Sequence, residues 1–196
     1  MNALVSSSDI SYAFAINPTD LVVGESQTGG GWEAFRTYNF WVPSTDILVP
    51  LQGKINCEAL GVNGPGVAVG DSDGYATLWQ VGGSPTPTLW QVGGSPTPLA
   101  LNSSTGGQCW ANAINDNGMV VGYRASGPSK IAVAWLNYTN SVTSVDLLSL
   151  NPTYTGGGTW TLVTATAVND QNWIVGWGTL NGQEHAFLMA PKQVGQ

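Results

Sequence analysis

The residues that could do acid–base or nucleophilic chemistry are few and scattered in this chain of 196 residues. His185 is the only histidine, so a Ser-His-Asp catalytic set would have to include it. No Gly-x-Ser-x-Gly, His-Glu-x-x-His or P-loop motif is present. The twelve acidic residues show no pairing typical of glycoside hydrolases. We therefore expect no enzymatic activity and no cofactor, and we interpret His185 as a structural residue hydrogen-bonded to the backbone.

The two cysteines allow two interpretations. Cys57 and Cys109 each stand six residues before an Asn, at equivalent positions of two copies of a repeat. They can form a disulfide if their Cα atoms lie within about 7 Å of each other. Alternatively, both are buried thiols in a tightly packed core. Two cysteines without clustered histidines do not make a zinc site, so we expect no metal.

A short acidic segment at residues 71–74, with the sequence Asp-Ser-Asp-Gly, resembles part of a calcium loop. A complete loop needs further oxygen ligands at regular spacing, including a bidentate Glu. The segment also lies where a turn is expected between two strands. We therefore predict a tight hairpin turn there.

Tryptophan is the residue type that most favours a binding function, because the chain contains nine. Aromatic faces beside Asn and Ser suit the recognition of sugars or proteins. The alternative for each is packing between sheets, which we expect for Trp135. The candidate binding residues are Trp32, Trp41, Trp79, Trp90, Trp173 and Trp177.

An eleven-residue segment, TLWQVGGSPTP, occurs at residues 77–87 and again unchanged at 88–98. We interpret the second copy as an insertion in a loop between two strands, where the entropy of loop closure rises slowly with length. One of Trp79 and Trp90 should then lie in the core and the other on the extended loop. The insertion is either neutral or a contact with a neighbouring molecule or ligand through Trp90.

A fourfold repeat must position all of these residues. In each copy an Asn is followed seven residues later by a Gly that ends an apolar run, in AINPTDLVVG, GVNGPGVAVG, AINDNGMVVG and AVNDQNWIVG. Small residues that alternate before the Asn predict a strand, polar residues after it predict a turn, and the apolar run predicts a second strand. The repeat asparagines are therefore predicted to be structural turn residues: Asn17, Asn63, Asn115 and Asn169.

Two further strands complete each repeat. Third strands are predicted at residues 75–79, 131–135 and 185–189, and in the first repeat at either 33–35 or 37–41. Fourth strands are predicted at residues 46–49, 99–101 and 145–148. Four strands in about 45–50 residues are typical of a propeller blade. The sequence thus predicts an all-β, four-bladed β-propeller forming a single domain, with units at about 9–54, 55–106, 107–160 and 161–196.

The strands predicted at the two ends of the chain indicate how the ring of four blades could close. The last unit lacks a fourth strand, while residues 1–8 supply a spare one. We expect this N-terminal strand to complete the last blade, because closure removes exposed sheet edges. The alternative is that the strand is donated between molecules, which would build a dimer or a filament.

The order of the motifs AIN, VVG, HAF and DL resembles the bacterial extracellular HAF repeats, which are named after the His-Ala-Phe found here at residues 185–187. The resemblance covers nearly the whole chain, although the triplet is intact only once. It implies a β-propeller-like fold and a secreted or surface-associated protein. It implies no defined biochemical activity.

Composition narrows the choice of partners and location. With a net charge of −7 and only five basic residues, the chain is not expected to bind nucleic acid or anionic membranes. No apolar run approaches the ~20 residues of a membrane span. The N-terminus has no basic segment and no continuous apolar segment, so we do not expect a signal peptide in the numbered chain.

These observations together predict a non-enzymatic structural or interaction module of an extracellular surface, a fibre or a virion. Low charge permits permanent packing against copies of the same chain or against a protein partner. The alternative is a carbohydrate-binding propeller that uses exposed Trp residues. A hydrolase is the least favoured alternative.

Overall fold

The computed structural model describes residues 10–37, 46–48, 54–80, 97–101, 105, 107–137, 143–150, 152 and 157–191. These residues form fifteen β-strands and one 3-10 helix, and no α-helix occurs among them. The chain is therefore all-β, as predicted. It divides into two compact units, Met1–Ala100 and Leu101–Gln196. Each unit holds two of the four sequence repeats.

The first unit contains two sets of antiparallel strands, each in sequence order. The first repeat forms β1 (Ser11–Ile16), β2 (Val22–Thr28), β3 (Gly31–Thr37) and β4 (Asp46–Leu48). The second repeat forms β5 (Cys57–Val62), β6 (Ala68–Ser72), β7 (Tyr75–Gln80) and β8 (Thr97–Ala100). The third strand of the first repeat thus includes residues 33–35, which was one of the two predicted alternatives. The duplicated segment begins within β7 and ends within β8, and the predicted loop at residues 81–96 between them lies outside the described residues.

The second unit follows the same order. The third repeat forms β9 (Cys109–Ile114), β10 (Val120–Ser126), β11 (Ser129–Trp135) and β12 (Val145–Asp146). The described part of the fourth repeat forms three strands, β13 (Trp160–Val168), β14 (Ile174–Leu180) and β15 (Gln183–Met189).

The fourth strand of the third repeat is shorter than predicted. It ends at Asp146, and the chain continues as a 3-10 helix at Leu147–Leu150. Two hydrogen bonds of 2.8 Å join the Arg124 guanidinium to both carboxylate oxygens of Asp146. The Ser149 hydroxyl donates to the main-chain oxygen of Asp146 at 2.6 Å. These contacts hold the end of the strand while Leu147 is buried below it.

A β-bulge recurs in the first hairpin of every repeat. The register shifts at 13/15 opposite β2, at 59/61 opposite β6, at 111/113 opposite β10 and at 165/167 opposite β14. The bulged strand lies against the repeat glycine, so that a Cβ added to Gly70 would overlap the main-chain oxygen of Glu58. Gly24, Gly122 and Gly176 have the same close contact with their own hairpins. The Gly of the sequence motif is therefore required by the bulge.

Successive repeats of one unit share an apolar core. In the first unit, Val23 and Ala34 belong to the same buried cluster as Cys57, Ala59 and Trp79 of the next repeat. In the second unit, the corresponding cluster contains Val121, Ala132, Ala134, Leu162, Ala165 and Phe187. Small residues in both clusters allow a close approach of the sheets. Trp135 is fully buried, which confirms its predicted place in a core.

Candidate functional site

The repeat asparagines are turn residues, as predicted. In the first repeat, the Oδ1 atom of Asn17 accepts a hydrogen bond from the main-chain N–H of Leu21 at 2.9 Å. The main-chain N–H of Asn17 donates to the oxygen of Leu21 at 3.0 Å, which closes the turn from the other side. The same side-chain acceptor lies 2.8 to 2.9 Å from the corresponding N–H in the other repeats, at Asn63, Asn115 and Asn169.

The side-chain amide has a second role that the sequence analysis missed. Asn17 donates from Nδ2 to the main-chain oxygen of Asn63 at 2.8 Å, and Asn115 donates to that of Asn169 at the same distance. Each side chain therefore caps its own turn and binds the turn of the next repeat. The available signal was the use of Asn in all four copies, because Asp or Ser can cap a turn but lack the amide donor.

His185 lies on β15 and its side chain is exposed. Its ring meets the ring of Trp160 edge-on, with 6.2 Å between the ring centroids. The contact observed for His185 is thus aromatic, whereas the sequence predicted a hydrogen bond to the backbone. Among the described residues, no group of three or more His, Cys, Asp or Glu side chains is placed to hold a metal ion.

Both cysteines are buried thiols, and no disulfide joins them. The Cys57 Sγ atom accepts a hydrogen bond from the main-chain N–H of Ala34 at 3.3 Å, and the Cys109 thiol donates to the oxygen of Leu101 at 3.1 Å. Burial raises the pKa of Cys57 to about 11. The disulfide alternative is therefore wrong, and the buried-thiol alternative is confirmed. A thiol with so high a pKa is a poor nucleophile at neutral pH.

A carboxyl pair that the sequence analysis missed lies on the first hairpin of the second repeat. Glu58 and Asp71 are cross-strand partners on β5 and β6. The pKa of Glu58 is raised to about 8, chiefly by burial and in addition by the hydrogen bond with Asp71 and the charges of Asp71 and Glu25. Glu58 therefore holds a proton at neutral pH, which lets its carboxyl group hydrogen-bond to the Asp71 side chain. The Asp71 carboxylate also accepts from the Gly74 N–H at 2.7 Å, so the pair is part of the hairpin framework.

The acidic segment at residues 71–74 forms the predicted hairpin turn. Asp73 and Gly74 have φ values of 47° and 79°, in the left-handed region that two-residue hairpin loops use. The Asp73 carboxylate accepts hydrogen bonds from the Ile55 main-chain N–H at 2.9 Å and from Asn56 Nδ2 at 3.1 Å. Chiefly because of the hydrogen bond from Ile55, the pKa of Asp73 is lowered. Its oxygens are thus used to tie the turn to the chain before β5.

The tryptophan candidates separate into four groups. Trp79 is only 1% exposed in the core of the first unit, so its prediction as a binding residue is wrong and it is the core member of the duplicated pair. Trp173 and Trp177 are exposed, and they remain predicted binding residues. Trp32 is half-buried. Trp41 and Trp90 lie outside the described residues.

An exposed aromatic row lies on the first repeat. The ring of Tyr12 stacks on that of Trp32, with 5.9 Å between centroids and 29° between planes. The centroids of the Tyr12 and Phe14 rings lie 6.4 Å apart, with an interplanar angle of 12°. Tyr12 and Phe14 are both exposed. Of these three residues only Trp32 was predicted from the sequence, because the register that brings the rings together depends on the bulge in β1.

Within the described residues, no helix is long and apolar enough to cross a membrane. No known family model matches the chain, and no curated protein matches its sequence. The likeness to HAF repeats therefore rests on the motifs of the chain alone.

Proposed function

We propose that the chain is a non-enzymatic structural and interaction module, which packs against copies of itself or against a protein partner. The observation that carries this proposal is that polar side chains bind main-chain groups within the fold. Asn17, Cys57 and Asp71 each bind main-chain groups of a hairpin or of the neighbouring repeat. Large apolar side chains are instead exposed, among them Tyr12 and Leu188. Exposed apolar patches are typical of protein–protein interfaces.

We further propose that the four repeats are the blades of a four-bladed β-propeller, with residues 1–8 as the missing strand of the last blade. Three repeats have four strands in sequence order, and the described part of the last has three, which supports this arrangement. Residues 1–8 lie outside the described residues. Whether the strand comes from the same chain or from a neighbour, it would cover the edge of β15. Deletion of residues 1–8 should then lower the melting temperature by several degrees, and an unchanged melting temperature would contradict the proposal.

We propose an extracellular surface, a fibre or a virion as the location. Charged residues make up only 9% of the chain, and Gly, Ser, Thr and Asn are abundant. This composition and the likeness to HAF repeats support such a place.

Light scattering over a wide range of protein concentration tests the proposed self-association. We expect the mass to exceed that of one chain and to rise with concentration, because apolar contacts of this kind form by mass action. If the purified chain is a strict monomer at every concentration and binds glycans, the assembly proposal is wrong.

A carbohydrate-binding function is the second candidate, and the aromatic row of Tyr12, Phe14 and Trp32 favours it. The exposed and nearly parallel rings of Tyr12 and Phe14 offer apolar faces on which a sugar ring can stack. A glycan array with the wild-type chain and with Tyr12→Ala tests this function. Tyr75→Ala is the matched control, since Tyr75 is also exposed but lies under the Lys54 ammonium, 3.6 Å from its ring centroid. Binding that is lost only in Tyr12→Ala supports the candidate, while an array without binding contradicts it.

A further inference from the structure

The chain contains three Asn-Gly steps, at residues 63–64, 117–118 and 181–182. Asn is thermolabile, and a following Gly favours its deamidation because no side chain hinders attack by the Gly nitrogen. The three side chains have different surroundings. Asn63 is only 4% exposed, and its Oδ1 atom accepts a hydrogen bond from the Val67 N–H at 2.8 Å. Asn117 and Asn181 are exposed.

The contacts of Asn181 use its oxygen. Asn181 lies in the hairpin loop between β14 and β15, and its Oδ1 atom accepts a hydrogen bond from the Thr159 N–H at 3.0 Å. The main-chain N–H of Asn181 donates to the Thr159 oxygen at 2.9 Å. These bonds tie the loop to the residue before β13. An aspartate at position 181 keeps the side-chain acceptor, so both bonds survive a change of amide to acid.

Asn117 instead joins two repeats through its amide nitrogen. Its Nδ2 atom donates to the main-chain oxygen of Asp170, and the N–H of Asp116 donates to the Asp170 carboxylate at 2.9 Å. The position of Asn117 in the first repeat is held by Thr19, whose hydroxyl donates to Asn17 of its own turn at 2.9 Å. The side-chain contact from residue 117 to the next turn therefore depends on the amide donor.

We infer that Asn117 is a site of spontaneous deamidation, and that its conversion to an acid breaks the contact between the turns of the third and fourth repeats. The main-chain nitrogen of Gly118 forms a bond to Cγ of Asn117 while the Cγ–Nδ2 bond breaks. The proton of the Gly118 N–H leaves with the Nδ2 group as ammonia. Water then opens the cyclic imide to aspartate or isoaspartate, and no atom is oxidised or reduced.

The turn has to open locally before this reaction, because the Gly118 N–H donates to the Asn115 oxygen at 3.2 Å. Exposed turns open at a lower free-energy cost than buried segments. Asn63 is buried and its oxygen is held by the Val67 N–H. We therefore expect Asn117 to react several times faster than Asn63 in the folded chain.

Deamidation of Asn117 replaces a hydrogen-bond donor by a negative charge. The new carboxylate offers no N–H to the main-chain oxygen of Asp170 and lies near the Asp170 side chain, which is also acidic. A modification that brings like charges together weakens the contact it enters. Both turns belong to the second compact unit, so the effect falls within that unit.

Peptide mapping by mass spectrometry tests the site. The wild-type chain is incubated at mildly alkaline pH in its native state and, in parallel, in denaturant. We expect Asn117 and Asn181 to convert in the native chain while Asn63 lags behind, and Asn63 to convert readily in the denatured chain. A native chain in which Asn117 converts no faster than Asn63 overturns the inference.

Thermal denaturation tests the structural consequence. Asn117→Asp reproduces one product, and we expect it to lower the melting temperature by about 2–4 °C, the shift for the loss of one hydrogen bond in a chain of this size. Asn181→Asp is the matched control and should melt like the wild type, because its acceptor is kept. Equal melting temperatures of the two variants overturn the proposed loss of the contact.

The variant Asn117→Gln links the modification to the loss of stability. Gln does not form the five-membered imide, so its melting temperature should stay at its own starting value during the incubation. The wild type should lose stability in step with the conversion of Asn117. If the melting temperatures of both proteins fall in parallel, Asn117 is not the site at which ageing weakens the fold.

Discussion

Asn115 donates a hydrogen bond of 2.8 Å from its side-chain amide to the main-chain oxygen of Asn169, which is the same residue of the next repeat. Asn17 makes the equivalent bond to Asn63 in the first unit. The amide therefore does two tasks, because its oxygen shapes one turn and its nitrogen holds the next. These bonds join the first hairpins of successive repeats at the same residue of each turn.

The substitution Asn115→Asp should separate the two tasks. The carboxylate keeps the acceptor for the Met119 N–H but places negative charge against the oxygens of Asn169 and Asn172, to which the amide donates. We expect the free energy of unfolding to fall by about 1–3 kcal/mol, the cost of leaving buried polar groups without a partner. Urea denaturation measures this change.

The matched control for Asn115→Asp is Asn169→Asp. Asn169 accepts hydrogen bonds from the main-chain N–H groups of Gln171 and Trp173, and a carboxylate keeps both. The control should change stability by less than about 0.5 kcal/mol, as is usual at exposed sites. Equal losses in the two variants would contradict a special role for the bond between repeats.

The bulge leads to a second prediction, which concerns the stability of a variant at Gly70. A methyl group there would overlap the main-chain oxygen of Glu58, so Gly70→Ala should force the bulged strand away from its neighbour. We expect a loss of about 1–3 kcal/mol, as for other overpacked interiors. Gly29→Ala is the control, because nothing lies within contact of a Cβ built there. Thermal denaturation of both variants compares them, and a Gly70→Ala protein as stable as Gly29→Ala would rule out the packing requirement.

Stability should depend on pH through Glu58. Its folded-state pKa is raised from 4.5 to about 8, so the folded chain holds a proton that the unfolded chain releases above about pH 4.5. The contribution is fully present below pH 4.5, is lost as the pH rises towards 8, and changes little above that value. Glu58→Gln, which carries no ionisable carboxyl, should remove this decline.

Urea denaturation at a series of pH values checks the role of Glu58. Glu184→Gln serves as the control, since Glu184 is exposed on β15 and its loss should leave the decline in place. If Glu58→Gln and the wild type lose stability in parallel between these pH values, the proton is not held at Glu58.

The thiols should be unreactive in the folded chain. Cys57 and Cys109 are buried, and the pKa of Cys57 of about 11 leaves little thiolate at neutral pH. We expect slow alkylation by iodoacetamide in the native state. In denaturant without a reductant, mass spectrometry should show both residues alkylated. A denatured chain that stays unlabelled until a reductant is added would reveal a disulfide after all.

Sequence patterns predicted the local elements well, because those elements depend on neighbouring residues. The Asn turn, the two strands around it and the turn at residues 71–74 follow from turn chemistry and alternation. The shortened strand β12 was not predicted, because Asp146 is held by Arg124 from a different strand. The contact of His185 with Trp160 was not predicted for a similar reason, since Trp160 lies two strands away in the same sheet.

Parts of the candidate surfaces could not be predicted, because they depend on register and on burial. Tyr12 and Trp32 lie on the same side of the sheet because the bulge in β1 sets which of its residues point to that side. Trp79 and Trp90 are identical in local sequence, so the choice of Trp79 for the core needed the pairing of β7 with β6. Val175 resembles Val121 in sequence and differs from it in exposure.

The sequence by itself determined the all-β class, the four repeats and the position of every first hairpin. These features follow from side-chain periodicity and from residues with restricted backbone angles, which act over a few positions. The tertiary structure alone decided the bond from Asn115 to Asn169, the raised pKa of Glu58 beside Asp71, and the exposure of Val175. Each of these depends on contacts between residues far apart in the chain, and no local pattern encodes how much water is excluded from such contacts.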